Sequence, residues 1–234
     1  MDNIKGISCT VDLAPKKIGT GHKIKLIEPH GVPSALKNPV DFQWHGRDMI
    51  THFIANSTKK YMTLQNASSK TAFFVPSLQM GKFFIENDQE ILRQTLSSLK
   101  QESNVALATA YFNIDKSLSD LVLDSKASWD ILTASPHANG FLGSKGFSGM
   151  IPYLYLNQEY SFLKKVHKQN KTDVRFYEWE KEANTFHAKG LWISENKDAA
   201  PHISICGSSN FGLLFFLLAM SYVVYFCCIR SEVT

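Results

Sequence analysis

The spacing of apolar positions changes at about Thr71, and the change divides the chain. Before that point Pro15, Gly19, Gly21, Pro29, Gly31, Pro33 and Pro39 interrupt any long element. One apolar run, residues 24–27, predicts a short strand, and Met49, Ile50, Phe53 and Ile54 give residues 48–60 one helical face. Residues 1–70 are therefore expected to be a wrapped extension without a core of their own. From Thr71 helical and strand periods alternate. Ile91, Leu92, Leu96 and Leu99 mark an amphipathic helix over 85–99, and residues 105–112 read as a buried strand. Leu118, Leu121 and Val122 mark a helix over 115–123, and a Tyr-rich helix runs from 152 to about 167. Further strands are predicted at 129–134, 174–179, 186–193 and 202–206. This alternation over 71–212 predicts a layered α/β domain, a mixed sheet flanked by helices.

Beyond Gly212 the alternation stops. Residues 213–229 carry no charge and are bounded by Arg230. As a helix rising about 1.5 Å per residue, this run would reach roughly 25 Å, a little under the ~30 Å hydrocarbon core of a bilayer. The tail, 213–234, is thus either a candidate membrane helix or an apolar segment buried in the lobe. It is expected to be helical at least over 214–222, to protrude from the lobe and to anchor it.

Composition narrows the function classes. The 234 residues are 44% apolar and 20% charged, enough for a core and too apolar for global disorder. Lys and Arg number 25 against 21 Asp and Glu, a net charge of +4. That balance mildly favours phosphates or anionic lipid, but no dense basic run suggests a nucleic-acid groove, and no nucleic-acid partner is expected. Cys9, Cys206, Cys227 and Cys228 form neither a zinc-binding pattern nor a disulfide framework, which makes a reducing compartment the default. Asp2 and the lack of an early apolar or Arg-rich stretch match no presequence. The protein is expected either to avoid such import or to have its true amino terminus elsewhere.

The candidate chemistry sits late in the chain. His187 and Lys189, two apart in a strand pattern, project from one face. An imidazole beside an ammonium suits poorly an ordinary core, because burial disfavours both charges. It suits a phosphate, whose oxygens Lys189 would neutralise while His187 exchanges a proton or attacks phosphorus. The bland alternative is two solvated residues on a surface strand. One strand later, Gly207-Ser208-Ser209-Asn210 forms a tight turn that can aim the Ser208 hydroxyl, the Asn210 amide and backbone N–H groups at the same oxygens. Ser and Asn are also ordinary turn formers. Residues 139–146 make a Gly-rich loop, either a plain connection or a lining in which Lys145 offers a cation to phosphate or lipid. It lacks the Gly-Lys-Ser/Thr of a P-loop. Tyr111 and Asn113 end a strand where open sheets place ligands, and they suit equally a core aromatic and a helix cap.

The H-x-K followed by G-S-x-N resembles the second half-motif of the phospholipase D superfamily. Residues 74–82 (FVPSLQMGK), 109–113 (TAYFN), 134–141 (ASPHANGF), 185–192 and 205–212 resemble one branch of it, the mitochondrial CDP-diacylglycerol–glycerol-3-phosphate 3-phosphatidyltransferases. The resemblance covers about residues 20–212. It implies a phospholipase D-like lobe at 71–212, preceded by an inter-lobe region at 1–70. The implied reaction transfers a phosphatidyl group from CDP-diacylglycerol to glycerol 3-phosphate at a membrane surface in mitochondria, with no cofactor and no metal. His187 would be the acid/base, and Lys189, Ser208 and Asn210 would hold phosphoryl oxygens. Lys145, Tyr111 and Asn113 would line the substrate site.

Three features depart from the family pattern. Ser194 stands where the superfamily has an Asp, a loss that this branch also tends to show. No second H-x-K is present, His45-Gly46-Arg47 being the nearest approach, and residues 213–229 replace a polar helix and a Glu-bearing strand. The chain is therefore expected to be the carboxy-terminal lobe of a two-lobe enzyme, needing the other lobe or a second copy for a complete site. A silent membrane-tethered fragment and a phosphodiesterase of the same superfamily are the alternatives.

Overall fold

A computed structural model of the chain describes residues 10–13, 24–27, 31–63, 72–208, 211–212 and 220–228, with side chains described over 31–56, 75–208 and 211–212. Contacts divide the chain into two compact units, Met1–Ser68 with Lys82–Phe84, and Ser69–Gly81 with Ile85–Thr234. In the first unit a hairpin pairs β1 (Thr10–Leu13) with β2 (Ile24–Ile27), and α1 covers Pro39–Thr63. Gly46 allows the Phe83 ring to lie against α1, since a Cβ there would come within 2.3 Å of it. His45-Gly46-Arg47 sits inside α1, where residues two apart face away from each other. It has no strand geometry with which to pair an imidazole and a cation.

The second unit is built on an eight-stranded mixed sheet. Its strands are β3 (Ala72–Met80), β4 (Ile85–Glu86), β5 (Asn104–Thr109), β6 (Ser128–Ala134), β7 (Val174–Trp179), β8 (Lys189–Ser194), β9 (Ile203–Gly207) and β10 (Met220–Cys228), in the order β4-β3-β10-β9-β8-β5-β6-β7. β5, β6 and β7 are parallel, linked through α3 (Lys116–Asp124) and α4 (Ile151–Lys168), and the remaining pairs are antiparallel. α2 (Asn87–Ser97) precedes β5. The predicted α/β class and most element positions are those observed.

Register explains the core. Leu191, Leu107, Ile131 and Phe176 stand side by side on β8, β5, β6 and β7, and Ile193, Val105, Trp129 and Val174 form the next row on the same face. Leu92, Leu96, Leu118, Val122, Phe162 and Val166 of the three helices close over these rows. Fully burying each such side chain contributes about 1.5–3 kcal/mol. α3 begins at Asp115, whose carboxylate accepts the Leu118 N–H at 2.8 Å, so Asp115 caps the helix and Asn113 does not.

The tail corrects the helical expectation. Met220–Cys228 is a strand, paired in register with β3 along its whole length and with β9 from Val223 to Cys227. Tyr222, Val223, Val224, Tyr225 and Phe226 are β-branched or aromatic residues that favour strand, and the sheet supplies partners on both sides. Residues 213–219 and 229–234 lie outside the described residues. Among the described residues no helix is long and apolar enough to cross a membrane.

Candidate active site

One row above the apolar core, the sheet turns polar. Lys189 of β8, Thr109 of β5, Thr133 of β6 and Glu178 of β7 are consecutive register partners, so their side chains share one face at one level. Thr109 and Thr133 are buried. This row lies where the parallel strands end, the edge at which open α/β sheets collect ligands.

His187 lies two residues before Lys189, just outside the strand. The Phe186 N–H donates to the Ala138 carbonyl at 2.9 Å and fixes the approach of this segment. Nζ of Lys189 lies 3.1 Å from Nε2 and 3.3 Å from Nδ1 of His187. Tyr111 packs beneath both. Its ring meets the imidazole edge-on at 5.6 Å between centroids, and Lys189 Nζ lies 5.9 Å from its centre. Tyr155 of α4 stacks on Tyr111 at 5.3 Å, and Phe141 packs on it at 5.5 Å. Desolvation, and then the Lys189 charge, lower the His187 pKa below its ordinary value, and desolvation lowers that of Lys189. Two nitrogen bases held together on an aromatic floor make a receptor for an anion, which would relieve both shifts.

Gly207 and Ser208 arrive at the same edge. Gly190 pairs with Cys206, so Gly207 and Ser208 leave β9 beside the point where His187 and Lys189 enter β8. Ser208 is exposed, and Asn210 lies outside the described residues. Just after it, Phe211 holds a left-handed backbone (φ 56°) with its ring buried, and Gly212 bridges to Ile114. A Cβ on Gly212 would fall 1.6 Å from Asn113 Oδ1, so only glycine fits against that amide. Asn113 Oδ1 is buried without a hydrogen-bond partner. Asn113 also lines a cleft of about 320 Å³ between α3 and α4, with Lys116, Ser119, Gln158 and Lys165. Lys145 is exposed, and no hydrogen bond or ion pair joins it to the His187 group. Among the described residues no group of three or more His, Cys, Asp and Glu is placed to hold a metal.

The structure thus brings His187, Lys189 and Tyr111 together, sets Ser208 and Asn113 at the same edge, and leaves Lys145 exposed in the loop before α4. Glu159 of α4 was not among the residues that the sequence singled out. This carboxyl is buried under the polar row, 3.5 Å from the Thr133 hydroxyl. Desolvation, followed by the charge and hydrogen bonding of Glu178, pushes its pKa up to about 8, against a smaller lowering by Thr133. The available signal was an acid on the inward stripe of an otherwise apolar helix face.

No family model matches the chain. It is 38% identical over 138 residues to the mitochondrial CDP-diacylglycerol–glycerol-3-phosphate 3-phosphatidyltransferase of Homo sapiens, covering 58% of this chain and 25% of that one. The chain resembles these phosphatidyltransferases. The probable enzyme of Dictyostelium discoideum is 36% identical over 146 residues (62% of this chain, 25% of that one), and the Schizosaccharomyces pombe enzyme 36% over 169 residues (71% and 33%). The chain therefore spans about a quarter to a third of the length of these relatives. Among solved structures, phosphatidylserine synthase from Haemophilus influenzae superposes with a TM-score of 0.58 at 18% identity, covering 69% of this chain and 36% of that one. That likeness concerns the fold alone, the mixed sheet flanked by helices expected from the sequence.

Proposed function

We propose that this chain is one catalytic lobe of a phosphatidyltransferase that moves a phosphatidyl group from CDP-diacylglycerol to glycerol 3-phosphate, forming phosphatidylglycerophosphate and CMP. The observation that carries the reading is the His187–Lys189 pair at the sheet edge, within a chain 36–38% identical to enzymes bearing that name. The reaction needs a nucleophile from a second lobe. That group attacks the phosphatidyl phosphorus, the bond to CMP breaks, and protonated His187 gives its proton to the leaving oxygen. Neutral His187 then takes the proton of the glycerol phosphate hydroxyl as that oxygen attacks the covalent intermediate and frees the nucleophile. Lys189, Ser208 and Asn210 bind the phosphoryl oxygens, where charge builds up in the transition state. Tyr111 supports the pair from below, while Asn113 and Lys145 border the substrate. The vertebrate relatives named as mitochondrial support a mitochondrial setting.

The chain has one H-x-K element, so by itself it should form little or no phosphatidylglycerophosphate. The test supplies CDP-diacylglycerol and labelled glycerol 3-phosphate to the chain alone, and then to the chain with the amino-terminal lobe of a full-length relative. Activity is expected only in the mixture, and His187→Ala should lower it by about 10²–10⁴-fold. Full turnover by the chain alone would point to a site shared by two copies. An inactive mixture would favour a silent fragment.

A further inference from the structure

α4 is apolar on two faces. Pro152, Tyr155, Glu159, Phe162 and Val166 turn inward, at the spacing of one buried stripe. Tyr153, Leu156, Tyr160 and Leu163 repeat at the same spacing on another face, and all four are exposed. The turn before the helix extends this surface. Phe147, in a 3-10 turn over Gly146–Met150, is 93% exposed, and Met150 is exposed beside it. The turn is shaped to present that ring. Gly143 and Gly146 take positive φ (77° and 67°), and a Cβ on Gly149 would come within 2.4 Å of the Ser144 carbonyl oxygen. Contiguous exposed apolar residues of this extent mark an interaction surface.

Charge selects the partner. Between Phe141 and Lys168 the only acid is Glu159, which is buried, whereas Lys145, Lys164, Lys165 and Lys168 are all exposed. Apolar and tyrosine side chains on a segment whose own exposed charges are all cationic fit the boundary between acyl chains and anionic headgroups. The surface also adjoins the site, because Tyr155, between two exposed turns of α4, stacks on the Tyr111 that supports His187.

We infer that the outer face of α4 and the Gly146–Met150 turn dock this lobe on an anionic lipid bilayer. Phe147, Tyr153, Leu156 and Tyr160 enter the interface, and Lys145 and Lys164 meet lipid phosphates. The inference rests on the proposed function for its reason to bring a bilayer here: a diacyl substrate would then reach His187 across little more than one helix diameter, about 10 Å.

The test is co-sedimentation of the full chain with vesicles of 70% phosphatidylcholine and 30% phosphatidylglycerol, without CDP-diacylglycerol. Binding is expected to weaken in pure phosphatidylcholine and at high salt. The pair Phe147→Asp and Leu156→Asp should weaken it tenfold or more with an unchanged far-UV circular dichroism spectrum, while Leu36→Asp, exposed in the first unit, should not. In a second measurement, the emission added by Phe147→Trp should be quenched by brominated acyl chains. Wild-type binding by the double variant, or no quenching, overturns the inference. It is also overturned if the chain self-associates without lipid and the double variant merely becomes monomeric, since the surface would then serve a protein contact. Transfer by the mixture of the chain and the amino-terminal lobe, assayed with detergent-dispersed CDP-diacylglycerol, tests the proposed function separately, because that assay contains no bilayer.

Discussion

At the scale of single residues, the site depends on what surrounds His187. An imidazole that first protonates a leaving group and then accepts a proton must pass through both states near neutral pH. In the free lobe, desolvation and Lys189 favour the neutral form. A bound phosphate would oppose both effects, adding negative charge next to the ring and pairing with the Lys189 ammonium. By NMR, His187 should therefore titrate below the ordinary value of about 6.5 in the free chain. Its midpoint should rise when Lys189→Met removes the second cause, and rise again when inorganic phosphate is added to the unsubstituted chain. A midpoint indifferent to both changes would mean that the 3.1 Å approach of the two side chains is not maintained in solution.

At the scale of elements, α4 carries a carboxyl that is buried against the sheet. Glu159 is buried beside Glu178 and Thr133, and its pKa of about 8 in the folded chain exceeds the ordinary carboxyl value near 4.3. Between those two values the folded state binds the proton and the unfolded state does not. Stability therefore falls as pH rises from about 4.5 toward 8, and the loss is complete above the folded value. Glu159→Gln keeps the shape and a hydrogen-bonding group without the charge. It should flatten that part of the pH profile and raise stability at pH 8.5 by about 2–4 kcal/mol, read from urea unfolding. An unchanged slope would mean that the carboxyl is not held in this environment.

At the scale of the whole lobe, the sheet is continuous only because the tail enters it. β10 lies between β3 and β9, and without it β3 and β4 have no described partner in the rest of the sheet. Each inter-strand hydrogen bond is worth about 0.5–1.5 kcal/mol net, so losing both ladders would remove an amount comparable to the ~5–15 kcal/mol of a typical domain. Deleting residues 213–234 is therefore expected to abolish cooperative thermal unfolding and to open β3 and β9 to amide exchange. A truncated chain that melts like the complete one would show that β10 does not support the sheet. Membrane attachment is then expected of the α4 surface, not of a protruding tail helix.

The sequence by itself determined the elements whose signals are local. Alternating periods located α3, α4, β6 and β7 to within a residue or two, because a single face decides burial there. It also set His187 and Lys189 two apart and put Gly207 and Ser208 at the end of the next strand, and folding brings these four residues to one sheet edge. Tertiary structure decided the rest. An unbroken apolar run such as 213–229 carries no period that separates helix from strand, and the free edges of β3 and β9 settled Met220–Cys228 as strand. The Thr109–Thr133–Glu178 row, the stacking of Tyr155 on Tyr111 and the burial of Glu159 join residues far apart in the chain. Such pairings follow from register and helix crossing, which no local spacing encodes.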